Sequence, residues 1–159
     1  MGSASGGTSA PRGIPTDLSE PLVVIDTGVV ISALVGSVDA SSYKVCRAVG
    51  TGRLRLAVSD RFLSELVRTV RDKHAEGRIP DAARAFEIAL DLGFHGEHHV
   101  FESLPWPSVP DPGDYWIPNL AYFAETDFIV SNDPHMLDAE LPIPVEVITA
   151  SEMRDKLGL

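Results

Sequence analysis

Leu22-Val23-Val24-Ile25-Asp26-Thr27-Gly28-Val29 is the stretch on which the fold turns. Its apolar opening does not alternate with polar residues and is rich in β-branched side chains, which suits a short strand buried on both faces of a parallel sheet. Asp26 comes at once after it, and a carboxylate at the end of a buried strand is costly unless something there uses it. Upstream, residues 1–21 are dominated by Gly, Ser, Pro, Ala and Thr. Such a composition buries too little apolar surface to offset the entropy of ordering, so these residues are expected to form a flexible tail, with one domain over residues 22–159.

Outward from that strand, helical and extended patterns alternate. Val29–Val35 and Ser41–Thr51 suit helices, and Leu54, Leu56 and Val58 alternate as a strand. Ser59 or Asp60 is placed to cap a helix with Phe62, Leu63, Leu66, Val67 and Val70 on one face. Pro80 opens another helix, carrying Ala83, Phe86, Ile88, Ala89 and Leu90 and stopping near Gly93, and His99–Phe101 is expected to be a short strand. Proline makes Leu104–Gly113 an irregular connection. After Asp114 a helix is expected with Ile117, Leu120, Ala121 and Ala124 inward; Pro118 is tolerable only in its first turn. Asp127–Ser131 and Val145–Ile148 read as strands, and Thr149 with Glu152 as a capping box. The order predicts an α/β fold: a three-layer sandwich whose central, mainly parallel sheet is flanked by helices.

The 159 residues, 44% hydrophobic and 23% charged, match one ordinary globular core, and no apolar run approaches the roughly 20 residues of a membrane span. The lone Cys46 has no intramolecular disulfide partner and no secretory signal pattern opens the chain, so a cytoplasmic location is expected. A net charge of -10 argues against non-specific coating of nucleic acid, which needs many cationic contacts to phosphate. The basic residues crowd the stretch from Lys44 to Arg84, while Ala85 to Met153 has neither Lys nor Arg. One basic wall beside an acidic pocket, or a set of solvated helix faces, would each account for this.

In open parallel sheets the binding crevice lies beyond the carboxyl ends of the strands, where strand order reverses. Asp26 ends the first strand, Asp114 stands where a helix begins, Asp133 comes after Phe128–Ser131, and Glu65 lies early in a helix. Taken singly, Asp114 reads equally as a helix cap and Asp133 as a turn residue, while Glu65, off the centre of the apolar stripe, reads first as an exposed helical glutamate. Together they would repel one another unless a cation neutralised them. An oxygen-only set points to a hard ion, Mg²⁺ or Mn²⁺, and such ions serve phosphodiester hydrolysis.

The run Val23–Leu34, the segment Val58-Ser59-Asp60 through Ser64-Glu65-Leu66, and Asp111-Pro112-Gly113-Asp114 with Leu120-Ala121 and Asp127–Asp133 after it together resemble PIN domains, particularly the branch of toxin–antitoxin toxins. The likeness runs from Leu22 nearly to the C-terminus. It implies metal-site and catalytic roles for Asp26, Glu65, Asp114 and Asp133, with support from Thr27, Ser131 and Asp111. It further implies a Mg²⁺- or Mn²⁺-dependent endoribonuclease acting on RNA, often a homodimer inhibited by a cognate antitoxin. Gly28, where asparagine is usual, Asn132 in place of a small glycine, and Pro118 depart from the family pattern.

Other chemistries fit these residues less well. Asp26-Thr27-Gly28 resembles an aspartic-protease signature, but that fold is all-β and this sequence carries helical periods. His95, His98 and His99 lack the i, i+4 framework of a catalytic zinc site, and His135 reads as an exposed turn residue. A PIN fold that binds RNA or protein without cleaving is the non-enzymatic reading.

Overall fold

The computed structural model describes residues 20–159, so the tail expected over 1–21 lies almost wholly outside the described residues. Five parallel strands, β1 (Leu22–Ile25), β2 (Arg55–Val58), β3 (Glu97–His98), β4 (Phe128–Val130) and β5 (Glu146–Ile148), form a sheet in the order β3-β2-β1-β4-β5. Helices α1 (Thr27–Val35), α2 (Ser41–Gly50), α3 (Asp60–Ala75), α4 (Ala82–His95), α5 (Trp116–Ala124), α6 (Pro134–Leu137) and α7 (Ala150–Leu157) flank it, completing the three-layer α/β sandwich. That architecture removes the all-β protease reading.

Val23, Val24 and Ile25 of β1 are fully buried, each side chain contributing about 1.5–3 kcal/mol by the usual transfer scale. The chain lays β2 and then β3 on one side of β1, then returns to lay β4 on the other, so strand order reverses between β1 and β4. There the Asp26 amide donates to the Val130 carbonyl at 2.9 Å, and the two strands deliver Asp26 and Ser131, the residues just past their ends, to one edge.

Helix starts obey local chemistry. Ser59 Oγ accepts from the Phe62 amide at 3.2 Å, Asp81 Oδ1 from Arg84 at 3.0 Å, and Thr149 Oγ1 from Glu152 at 3.1 Å. Pro118 is the third residue of α5, within the first turn, where its missing N–H leaves no helical bond unmade.

Several expectations are corrected. Helix α4 starts at Ala82 rather than Pro80 and runs past Gly93 to His95, with Gly96 as its C-cap donating to the Leu92 carbonyl where a Cβ would press on Val58. The third strand is Glu97–His98, not His99–Phe101, since only the former lies in register with Ala57 and Val58. Val67 and Leu90, expected inward, are 44% and 70% exposed; α3 buries Phe62, Leu66 and Val70, and α4 buries Ala85, Ala89 and Leu92. Asn132, which departs from the family pattern, accepts at its Oδ1 from the Ala150 amide at 3.1 Å, pinning the start of α7.

Candidate active site

Asp26 leaves β1 as the N-cap of α1, its Oδ1 accepting from the Gly28 amide at 3.4 Å. Its other oxygen accepts from the Ser131 hydroxyl at 2.8 Å, and Ser131 Oγ in turn accepts from the Asp133 amide at 3.1 Å. One fully buried serine at the end of β4 therefore positions two of the four carboxylates at once. Asp133 caps α6, accepting from the His135 amide at 3.0 Å. Of the two hydroxyls expected to support the site, Ser131 makes its bond; Thr27 Oγ1 is buried and has no partner among the described residues.

Asp114 ends a 3-10 turn over Pro112–Asp114, just before α5. Asp111 opens that turn by accepting from the Gly113 amide at 2.8 Å, which assigns it a backbone-shaping role. Glu65, half-buried on α3, has Arg61 at 3.8 Å one turn earlier. The indole N–H of Trp116 faces Glu65 closely enough to favour its ionised form, yet closes no hydrogen bond, so the two are neighbours rather than a bonded pair.

The electrostatics join these residues. Burial pushes the Asp26 carboxyl above its ordinary range, Ser131 and Gly28 counteract it, and Asp133 repels it further. Glu65 is raised by burial, relieved by Arg61 and repelled by Asp26. Asp114 is pushed up to about 6, first by burial and then by Asp26, Asp111, Glu65 and Asp133 together. Carboxylates from β1, α3, the turn before α5 and the segment after β4 thus share one electrostatic neighbourhood. Such a concentration of like charge is a mark of functional sites.

The donor set fits a hard divalent cation in chemistry: carboxylate and hydroxyl oxygens, a surplus of negative charge, and a buried Thr27 hydroxyl without a partner. The spacing is more open than a coordination cage, since among the described residues no group of three or more His, Cys, Asp or Glu stands close enough to hold an ion. Side-chain rotation would have to close it. A groove of about 320 Å³ lies elsewhere, lined by residues of α1, α2 and α4 including Val30, Leu34, Cys46 and Leu92, and none of the four carboxylates lines it. Charge, not volume, identifies this site. Burial pushes the Cys46 thiol up to about 12, which keeps it protonated near neutral pH.

Of the two readings of the charge asymmetry, a basic wall or solvated helix faces, each holds in part. Arg61 and Arg68 act on Glu65, whereas Arg55, Arg71, Lys73 and Arg78 pair with Glu97, Asp72 and Glu76 away from it. Sequence reasoning missed Trp116, which packs on Phe62 at 5.6 Å, and Asn119. The Asn119 carbonyl accepts from the Leu104 amide and the Trp106 indole at 3.1 and 3.0 Å, tying down the loop that leads to Asp114. An aromatic residue two positions after Asp114 is the only trace in the sequence that would have found Trp116.

No curated protein matches the chain. A family model described as PIN domain matches residues 22–135, a span that holds β1 through β4 and all four carboxylates and leaves β5 and α7 beyond its end. PIN domains are in general nucleases, hydrolases of nucleic acid, and typically use divalent metals. With the parallel sheet, its reversal beside Asp26 and a family match over most of its length, this chain belongs to the PIN domain family.

Proposed function

We propose that the chain is a Mg²⁺- or Mn²⁺-dependent endoribonuclease that hydrolyses RNA phosphodiester bonds, and that it serves as the toxin of a toxin–antitoxin pair, acting as a homodimer. The observation that carries the nuclease reading is the gathering of the carboxylates, where burial first, and then the charges of Asp26, Asp111, Glu65 and Asp133, lift Asp114 to about 6. Asp26, Glu65, Asp114 and Asp133 would hold the ion. A bound divalent cation neutralises such a cluster, acidifies water and stabilises charge on a phosphodiester. Ser131 keeps Asp26 oriented through the 2.8 Å bond and keeps the Asp133 backbone beside it. Asp114 holds a proton more readily than an ordinary aspartate, so its readiness to bind a cation grows above about pH 6. Arg61, exposed beside Glu65, is the nearest cation for a phosphate. The toxin role and the antitoxin rest on the resemblance of the Asp26, Glu65 and Asp111–Asp133 segments alone.

A second reading, a PIN fold that binds RNA or protein without turnover, is favoured by the open spacing of the carboxylates among the described residues. Cleavage assays on structured and unstructured RNA with Mn²⁺ separate the two. Asp26→Asn should lower cleavage by about 10²-fold or more, the scale for removing one electrostatic participant from an active site. Its metal-free melting temperature should hold or rise, because the replaced carboxylate is raised by burial. Cleavage that survives both EDTA and Asp26→Asn would end the nuclease reading; metal binding without turnover on any RNA would select the binding module.

A further inference from the structure

Helix α4 carries an exposed polar stripe of Arg84, Glu87, Asp91 and His95 and is apolar over the rest of its surface. Ala85, Ala89 and Leu92 face the core, Ile88 lines the groove toward α1 and α2, and Leu90 and Phe94 point outward, 70% and 85% exposed. Contiguous exposed apolar surface marks an interaction site. On the outer face of the α3–α4 hairpin, Leu63 and Val67 join Ala89, Leu90, Gly93 and Phe94 around a shallow groove of about 240 Å³. A Cβ at Gly93 would meet Leu63 Cδ2 at 3.1 Å, which fixes Leu63 level with Gly93 and, one turn on, Val67 level with Leu90.

We infer that this hairpin face is the homodimer surface, the partner being a second copy of the same hairpin packed as a four-helix bundle. The inference rests on the proposed homodimer, for which it supplies the surface. Charge register selects a second copy. One further turn along places exposed Arg71 of α3 level with exposed Glu87 of α4, at the same end of the groove because the helices run antiparallel. A two-fold axis parallel to the helices lays α3 of each copy over α4 of the other. It sets Val67 against Leu90 and Arg71 against Glu87, twice over, as an isologous contact requires. Residues 1–19 offer only Met1, Ile14 and Leu18 as large apolar side chains, too few to cover the face.

Sedimentation velocity and light scattering on the full chain test this. Wild type should dimerise, and Leu90→Glu with Phe94→Glu should weaken the dimer by about 100-fold or more, as loss of central apolar anchors does. Both side chains are exposed, so circular dichroism should be unchanged. Arg71→Glu and Glu87→Arg should each weaken the dimer by up to about 5-fold, and the double reversal should restore it. A wild-type monomer at every concentration would remove both the homodimer reading and this surface. A dimer indifferent to the Glu pair, or a double reversal no better than the single ones, would overturn this surface and leave the homodimer standing.

Discussion

At the carboxyl ends of β1 and β4 the molecule gathers charge that burial penalises; on the outer face of α3 and α4 it leaves Leu90 and Phe94 in water. The first region is short of positive charge, since Arg61 is its closest cation and lies 3.8 Å from only one of its carboxylates. The second is short of apolar neighbours. Each departs from what an isolated domain would choose, and the component proposed for each differs in kind: an ion in one, a protein surface in the other. A fold optimised for stability alone would neutralise the one and cover the other, and the two imbalances are where the proposed functions are placed.

If the regions are independent, each can be relieved without touching the other. The largest effect expected is from Mn²⁺ or Mg²⁺: at a hundredfold excess over Kd, binding stabilises by about 2.7 kcal/mol and should raise Tm by roughly 5–10 °C in calorimetry. Leu90→Glu with Phe94→Glu should leave that shift intact, whereas Asp26→Asn should erase it; an identical shift in Asp26→Asn would break the comparison.

A smaller effect concerns pH. Folding raises Asp114 from 3.8 to about 6, so the folded state binds its proton more tightly than the unfolded chain. The stabilisation this gives is fully present below about pH 4 and is lost as pH rises through about 6. Metal-free protein should therefore become less stable across that window, and Asp114→Asn should flatten the dependence in chemical denaturation. A profile unchanged by Asp114→Asn would mean that the carboxylates do not share a field.

The smallest effect is at Gly28. It is exposed in the first turn of α1, and a Cβ there would meet nothing within 4 Å. Gly28→Ala should stabilise by about 0.5–1 kcal/mol through helix propensity and the unfolded chain. A loss of stability would mean that the turn carrying Asp26 needs the glycine.

Local features were legible from the residues themselves. The buried β1, the caps at Ser59 and Thr149, the first-turn position of Pro118 and the parallel α/β order all come from short-range chemistry: apolar pattern, capping oxygens and proline sterics. Asp26, Asp114 and Asp133 were nameable as candidates because strand ends and helix starts are visible in sequence, and Glu65 only through the family resemblance; that the four act on one another's charge depended on the strand order that reverses beside Asp26. Other outcomes needed the tertiary structure. Whether Thr27 or Ser131 would bond Asp26 depended on which hydroxyl the β1–β4 register delivers, and Ile25 opposite Val130 delivers Ser131. The indole of Trp116 beside Glu65, the loop held by Asn119 and the exposure of Val67, Leu90 and Phe94 likewise depend on contacts between distant segments. A sequence states which side chains prefer to be buried; how much buried surface the fold has to offer is decided only when the elements pack, and α4 has more apolar side chains than this fold covers.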